Sequence, residues 1–184
     1  MSSVLPGVYR LTYQDWLAFP DDGRLYEILE GDLFVTPPPS IRHQRISRDL
    51  GLHLARHLED TGAGEMLHAP VGVRLSDDDV VEPDLLVVLT AHADRIGEQA
   101  VLGAPDLVVE ILSPGTARRD LGTKREKYEA AGVREYWIVD PESRSVEVLS
   151  LESDRFVRRG LFRSTDTLES SILAGLRIHL APIL

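Results

Sequence analysis

Apolar and polar positions alternate with two different periods along the chain, and the switches between them predict a mixed series of strands and helices. Residues 11–19 (LTYQDWLAF) read as a short helix with Thr12 as its N-cap and Pro20 as its stop. Residues 26–35 (YEILEGDLFV) alternate about Glu30-Gly31, which predicts a hairpin. Three prolines, Pro37 to Pro39, then punctuate the chain, and Ser40 caps a helix running to about Glu59. Short strands are expected near 66–68 and 71–75. After the acidic turn Asp77-Asp78-Asp79, the run VVEPDLLVVL (80–89) reads as one strand. A looser stretch over 90–103 leads to a strand at 106–112, and Pro114-Gly115 ends it. A helix follows over about 116–131 and stops at Gly132. Strands are expected at 136–140, 146–151 and 156–162, and the remainder is weakly patterned. No repeat, low-complexity segment or linker interrupts this order. The reading is a single α/β domain over residues 1–184, with a mixed sheet.

Three charged residues break the apolar pattern. In a continuous strand over 80–89, Asp84 would share a face with Val80, Glu82, Leu86 and Val88, where both faces are apolar and a carboxylate is unusual. Pro83 cannot donate to a ladder, so a bulge or an edge is expected beside it. Glu110 in DLVVEILSP sits at the far end of an apolar strand, which is costly unless it is paired or bound to a cation. At about 100° per residue, Ala117, Leu121, Lys124, Tyr128 and Ala131 share one helix face. Lys124 is then the middle of the stripe that should pack on the sheet. Lys127 lies on its flank, and Arg118, Arg119, Arg125, Glu126 and Glu129 point away. Each residue also has a plain structural explanation. Asp84 could be a wet strand start, Glu110 a partner in an ion pair, and Lys124 a snorkelling side chain or an i−4 partner of Asp120. Together they suggest more. Two carboxylates on consecutive strands can hold a hard divalent cation with a lysine beside them, a set that suits attack of water on a phosphodiester.

Composition narrows the partners. The 184 residues are 43% hydrophobic and 27% charged, ordinary for a globular chain and against disorder or coiled coil. The longest aliphatic run, 85–89, is far short of the ~20 residues a membrane helix needs. No secretion signal is legible at the start, and there is no cysteine for a disulfide, a thiolate metal site or a thiol nucleophile. A cytoplasmic protein without membrane contact is expected. The net charge of −10 argues against broad non-specific binding to phosphate backbones, so nucleic acid would have to meet a local patch. Only Lys124 and Lys127 are lysines among the 20 basic residues, and lysine and arginine do different chemistry at a site.

These residues carry a family likeness. Glu82-Pro83-Asp84, VVEILSP (108–114), the spacing Asp120, Lys124, Tyr128, and GVREYWIVDP (132–141) together resemble the Uma-two family of bacterial proteins. YEILEGDLFVTPPPSIRHQ near the start resembles the family's Tyr-Glu, Gly-Asp and His-Gln pattern, so the likeness covers roughly residues 10–180. That family, long a domain of unknown function, is described as candidate restriction endonucleases of the PD-(D/E)XK superfamily. The resemblance implies a restriction-endonuclease-like fold, with a mixed central sheet flanked by helices. It implies DNA as partner, Mg²⁺ (or Mn²⁺) as cofactor, and Asp84 and Glu110 as metal ligands. It also adds Glu27, from the Tyr-Glu pair, as a further catalytic carboxylate; a solvated hairpin residue is the alternative. One departure matters: the lysine expected two residues after the glutamate is Leu112 here, and Lys124 on the next helix would take its place.

Other signals are weaker. His43, Ile46, Leu50, His53, Leu54 and His57 fall in one arc of the helix after Ser40. HLARH lacks the glutamate of a zinc helix, so His53 and His57 read as partly buried structural residues. His43 matches the His-Gln pair and is kept as a possible active-site neighbour. Tyr136 and Trp137 read as core. The arginine pairs at 118–119 and 158–159 read as solvated faces. There is no GxGxxG, Walker loop or GxSxG. The expectation is a metal-dependent endonuclease, with a homodimer suggested by fold analogy alone. Two alternatives stay open: a catalytically silent binding or regulatory module, and a metal-dependent hydrolase of a small phosphoester.

Overall fold

The computed structural model describes residues 9–184, so most of the stretch read as lacking a secretion signal lies outside the described residues. The first helix is a single turn, α1 (Tyr13–Trp16), shorter than its pattern predicts. Thr12 donates from its backbone N–H and its hydroxyl to Asp15 Oδ2, both at 2.8 Å. Strands β1 (Leu25–Leu29) and β2 (Asp32–Thr36) form the predicted hairpin. Its two-residue loop has positive φ at Glu30 (55°) and Gly31 (78°), a geometry that matches the twist of paired strands. Helix α2 (Ile41–Thr61) begins where Ser40 Oγ accepts from His43 N at 3.2 Å and ends at the left-handed Gly62.

Beyond it come β3 (Gly64–His68), β4 (Gly72–Arg74), β5 (Val80–Val81) and β6 (Leu85–Leu89). The single strand expected over 80–89 is therefore two. Glu82-Pro83-Asp84 breaks the ladder, and the chain crosses from one sheet to another. Pro83 lacks the N–H a strand would need, so the interruption falls at the residue that cannot pair. A 3₁₀ helix (Thr90–Arg95), β7 (Ala100–Leu102) and β8 (Leu107–Ile111) follow.

The next helix is broken too: α3 (Ala117–Arg119), a π-helical turn (Asp120–Lys124) and α4 (Arg125–Ala131). The π turn inserts a residue relative to an α-helix and shifts the phase. Asp120 is thereby buried and Leu121 is 46% exposed, the reverse of the even helical reading, while Lys124 and Tyr128 remain inside. Strands β9 (Glu135–Asp140), β10 (Ser145–Glu152), β11 (Arg155–Arg163), β12 (Thr167–Glu169) and β13 (Arg177–His179) complete the chain.

The central sheet has six strands in the order β11-β10-β9-β8-β6-β3, mixed through the parallel β8–β9 pair. A second sheet runs β2-β1-β5-β4-β7, and β12-β13 form a ribbon. One face of the central sheet packs under α2 and the C-terminal segment, through Leu50, Leu54, Val109, Trp137 and Ile178. The other face packs against the second sheet and α4, through Val81, Val101, Val108, Tyr128 and Tyr136. Tyr136 and Trp137 are core, as expected. His43 lies on the buried face of α2, but His53 is exposed and lies off the buried row. Among the described residues, no helix is long and apolar enough to cross a membrane.

Candidate active site

Glu110 is the penultimate residue of β8, and its side chain points to the face covered by α4. There the π turn delivers Lys124 and β1 delivers Glu27. Lys124 Nζ donates to Glu27 Oε1 at 2.8 Å, contacts Glu110 Oε1, and lies 3.7 Å from Asp120 Oδ1. Tyr128 Oη donates to the same Glu110 oxygen at 2.6 Å. Glu27 is held in turn by the backbone N–H of Glu82 at 3.0 Å, and Arg119 Nη2 stands 3.2 Å from its other oxygen. All four of Glu27, Glu110, Asp120 and Lys124 are buried. Glu27 is thus no solvated hairpin residue, and Arg119 turns inward rather than away.

Asp84 occupies the break before β6, beside the end of β8. Its Oδ2 accepts from Ile111 N at 2.7 Å and lies 3.3 Å from His43 Nε2, which also meets Ile111 O at 3.0 Å. The crossing at Glu82-Pro83-Asp84 is what sets Asp84 against β8 while placing the Glu82 backbone on Glu27. The three residues singled out by pattern and the one added by resemblance therefore converge at one end of the central sheet.

Electrostatics here follow from a surplus of carboxylates. Burial pushes Glu110 well above the usual carboxylate range; the Lys124 charge opposes this, while Asp120, Asp84 and Glu27 add to it. Burial works against the Lys124 charge, but Glu110, Glu27 and Asp120 outweigh it and hold its pKa above the ordinary lysine value. Asp120 is raised by burial, partly offset by Lys124. Burial acts to lower His43, yet its contact with Asp84 leaves it raised. Glu82, buried beside Glu27, is pushed up to about 7.

The donor chemistry fits a hard divalent ion held by few protein ligands. Asp84 Oδ1 and Glu110 Oε2 take no hydrogen bond among the described residues, whereas their other oxygens are engaged. No group of three His, Asp or Glu among the described residues converges as a ready cage. Mg²⁺ is commonly held by one or two carboxylates, with water and phosphate oxygens completing its shell. Asp84 and Glu110 would supply that pair.

Arg119 escapes sequence reasoning, because the uneven helix turns it inward. Asp120 is legible as the i−4 partner of Lys124, 3.7 Å away, but not as a buried member of a larger cluster. Tyr128 reads as an apolar stripe residue, and only the spacing Asp120, Lys124, Tyr128 marks it.

Comparison with known proteins gives the family and the fold. The family model Uma2, described as "Putative restriction endonuclease", matches residues 12–181. A crystal structure described as a putative nuclease belonging to DUF820 from Anabaena variabilis superposes with a TM-score of 0.78 at 20% identity. It covers 94% of this chain and 97% of its own. That likeness establishes the restriction-endonuclease-like fold. No curated protein matches the chain. With its motifs, its fold and 170 matched residues in agreement, this chain belongs to the Uma2 family of restriction-endonuclease-like proteins.

Proposed function

We propose that the protein is a Mg²⁺- or Mn²⁺-dependent endonuclease that hydrolyses phosphodiester bonds in DNA. The observation that carries this reading is the burial of Lys124 Nζ between Glu27 and Glu110, with unengaged oxygens on Glu110 and Asp84. Bound at Asp84 and Glu110, the cation would lower the pKa of water and neutralise phosphate charge. The protein's own groups do the rest. Glu27 holds the Lys124 ammonium in place, so that it donates to the attacking water or to a non-bridging phosphate oxygen. Tyr128 fixes the Glu110 carboxylate, and Ile111 N with His43 fixes Asp84. Water oxygen bonds to phosphorus as the bond to the leaving ester oxygen breaks, and the proton that the water gives up passes through solvent to that oxygen.

A second reading is favoured by one observation. Lys124 is fully neutralised by Glu27 and Glu110, as in a structural ion-pair cluster, which suits a nuclease fold kept as a binding or regulatory module. The deciding experiment is cleavage of supercoiled plasmid and of single-stranded DNA with Mg²⁺, Mn²⁺ or EDTA, beside Asp84→Asn. Metal-dependent nicking lost in the variant supports the nuclease. Duplex binding without cutting favours the module, and activity only on a model phosphodiester favours a small-phosphoester hydrolase. Action as a homodimer, which would offer two sites to two strands, predicts twice the chain mass in light scattering at assay concentration.

A further inference from the structure

A cavity of about 420 Å³ opens between α2 and β3, and Asp84 and His43 line it as well as the candidate site. Its helical wall is a row at four-residue spacing: His43, Ser47, Gly51 and Ala55. Gly51 lies in the middle of a 21-residue helix, where glycine is a poor choice. Packing does not require it. A Cβ there would sit 3.4 Å from Leu85 Cδ2 and from Met66 Cε, ordinary contacts. A helical glycine with room for a methyl group breaks a local rule without a structural gain, and such places point to function. What its absence of a side chain achieves is an open trench. His43 adds an independent sign: it is 9% exposed, and its Nδ1 is buried without a partner.

We propose that this cavity receives a single unpaired nucleobase adjacent to the scissile phosphate, so that the substrate is single-stranded DNA or duplex with a base out of its stack. The inference rests on the nuclease reading and specifies its substrate. On the nuclease reading, a ligand that reaches from Asp84 into the cavity joins a phosphate to a largely apolar group. The walls match such a group: Met66, Leu52 and Ala55 offer apolar surface, while Gln44, Ser47 and Arg48 offer polar edges. The volume is that of a small-molecule pocket, and a base still in its stack cannot enter one.

The test uses fluorescein-labelled 12-nucleotide single strands, the matching duplex, and strands with one abasic position moved along the sequence. Binding is followed by anisotropy in Ca²⁺ buffer. Wild-type protein should prefer the single strand, and one abasic position should weaken binding about tenfold or more. Gly51→Leu and Ala55→Leu grow side chains into the cavity and should lose that abasic discrimination, with a cooperative melt showing that each variant is folded. Gly51→Ala should melt higher than wild type. Equal affinity for duplex and strand with no abasic effect, or unchanged discrimination in both folded leucine variants, overturns the proposal. If plasmid is still cut in that case, the nuclease reading survives. If DNA is neither bound nor cut, that reading falls and takes the cavity proposal with it.

Discussion

Lys124 and Glu27 are 97 residues apart in sequence and 2.8 Å apart in the fold, and both are almost wholly buried. A π turn presents the ammonium, and β1, the inner strand of a hairpin, presents the carboxylate. Neither element is part of the central sheet on which Glu110 stands. The site is therefore assembled from three layers, and its charges depend on one another.

Removing the ammonium should expose that dependence. Lys124→Ala leaves Glu27, Glu110 and Asp120 buried without their common partner, a loss of about 3–5 kcal/mol for a buried pair. Urea unfolding should register it, with a larger loss at pH 8 than at pH 5, where protons substitute for the lost cation. Turnover should disappear while calorimetry still detects Mg²⁺ binding. A variant as stable as wild type at both pH values would mean that the cluster does not need Lys124.

Asp84 has two duties that separate by substitution. Asp84→Asn keeps an oxygen for Ile111 N and removes the charge, so the melting temperature should stay near wild type while Mg²⁺ binding and cleavage vanish. Asp84→Ala also strands the Ile111 N–H, at about 1–3 kcal/mol. Unfolding of Asp84→Asn in metal-free buffer would make Asp84 a structural residue instead.

Glu82 sets a pH dependence. Burial raises its carboxyl to about 7 in the folded protein from an ordinary 4.5. Between those values the unfolded chain has released the proton and the folded chain retains it, so stability falls as pH rises, then levels off above 7. The span corresponds to roughly 3 kcal/mol at one pKa unit per 1.4 kcal/mol. Glu82→Gln should remove this fall, which is read from the difference between wild-type and variant urea curves at pH 4.5, 6 and 8. Parallel curves would show that Glu82 titrates normally.

Tyr128 contributes one hydrogen bond to Glu110 in a site where Lys124 already contacts the same oxygen. Tyr128→Phe should cost about 1–2 kcal/mol and slow cleavage several-fold without abolishing it. Complete loss of cleavage in a well-folded variant would give the phenol a direct role in the reaction.

Much of this was written in the order of residues. Asp84, Glu110 and Lys124 are conspicuous because a charge in an apolar run is costly without a partner, and that cost is local enough to read from pattern. The hairpin, α2 and the strand–helix–strand run from β8 to β9 follow from period, caps and glycines in the same way. Glu27 was different. Within its hairpin it has no feature that separates it from a solvated glutamate, and only family likeness pointed to it. Tertiary structure alone decided three things. Pro83 turns 80–89 into two strands of different sheets, because a missing N–H forbids continued pairing there. The π turn changes the phase between the residues before it and those after it, so Asp120 turns inward and Arg119 reaches Glu27 while Lys124 and Tyr128 keep their places. The partners of each buried charge come from elements far apart in the chain, and no local period encodes which distant face will cover a residue.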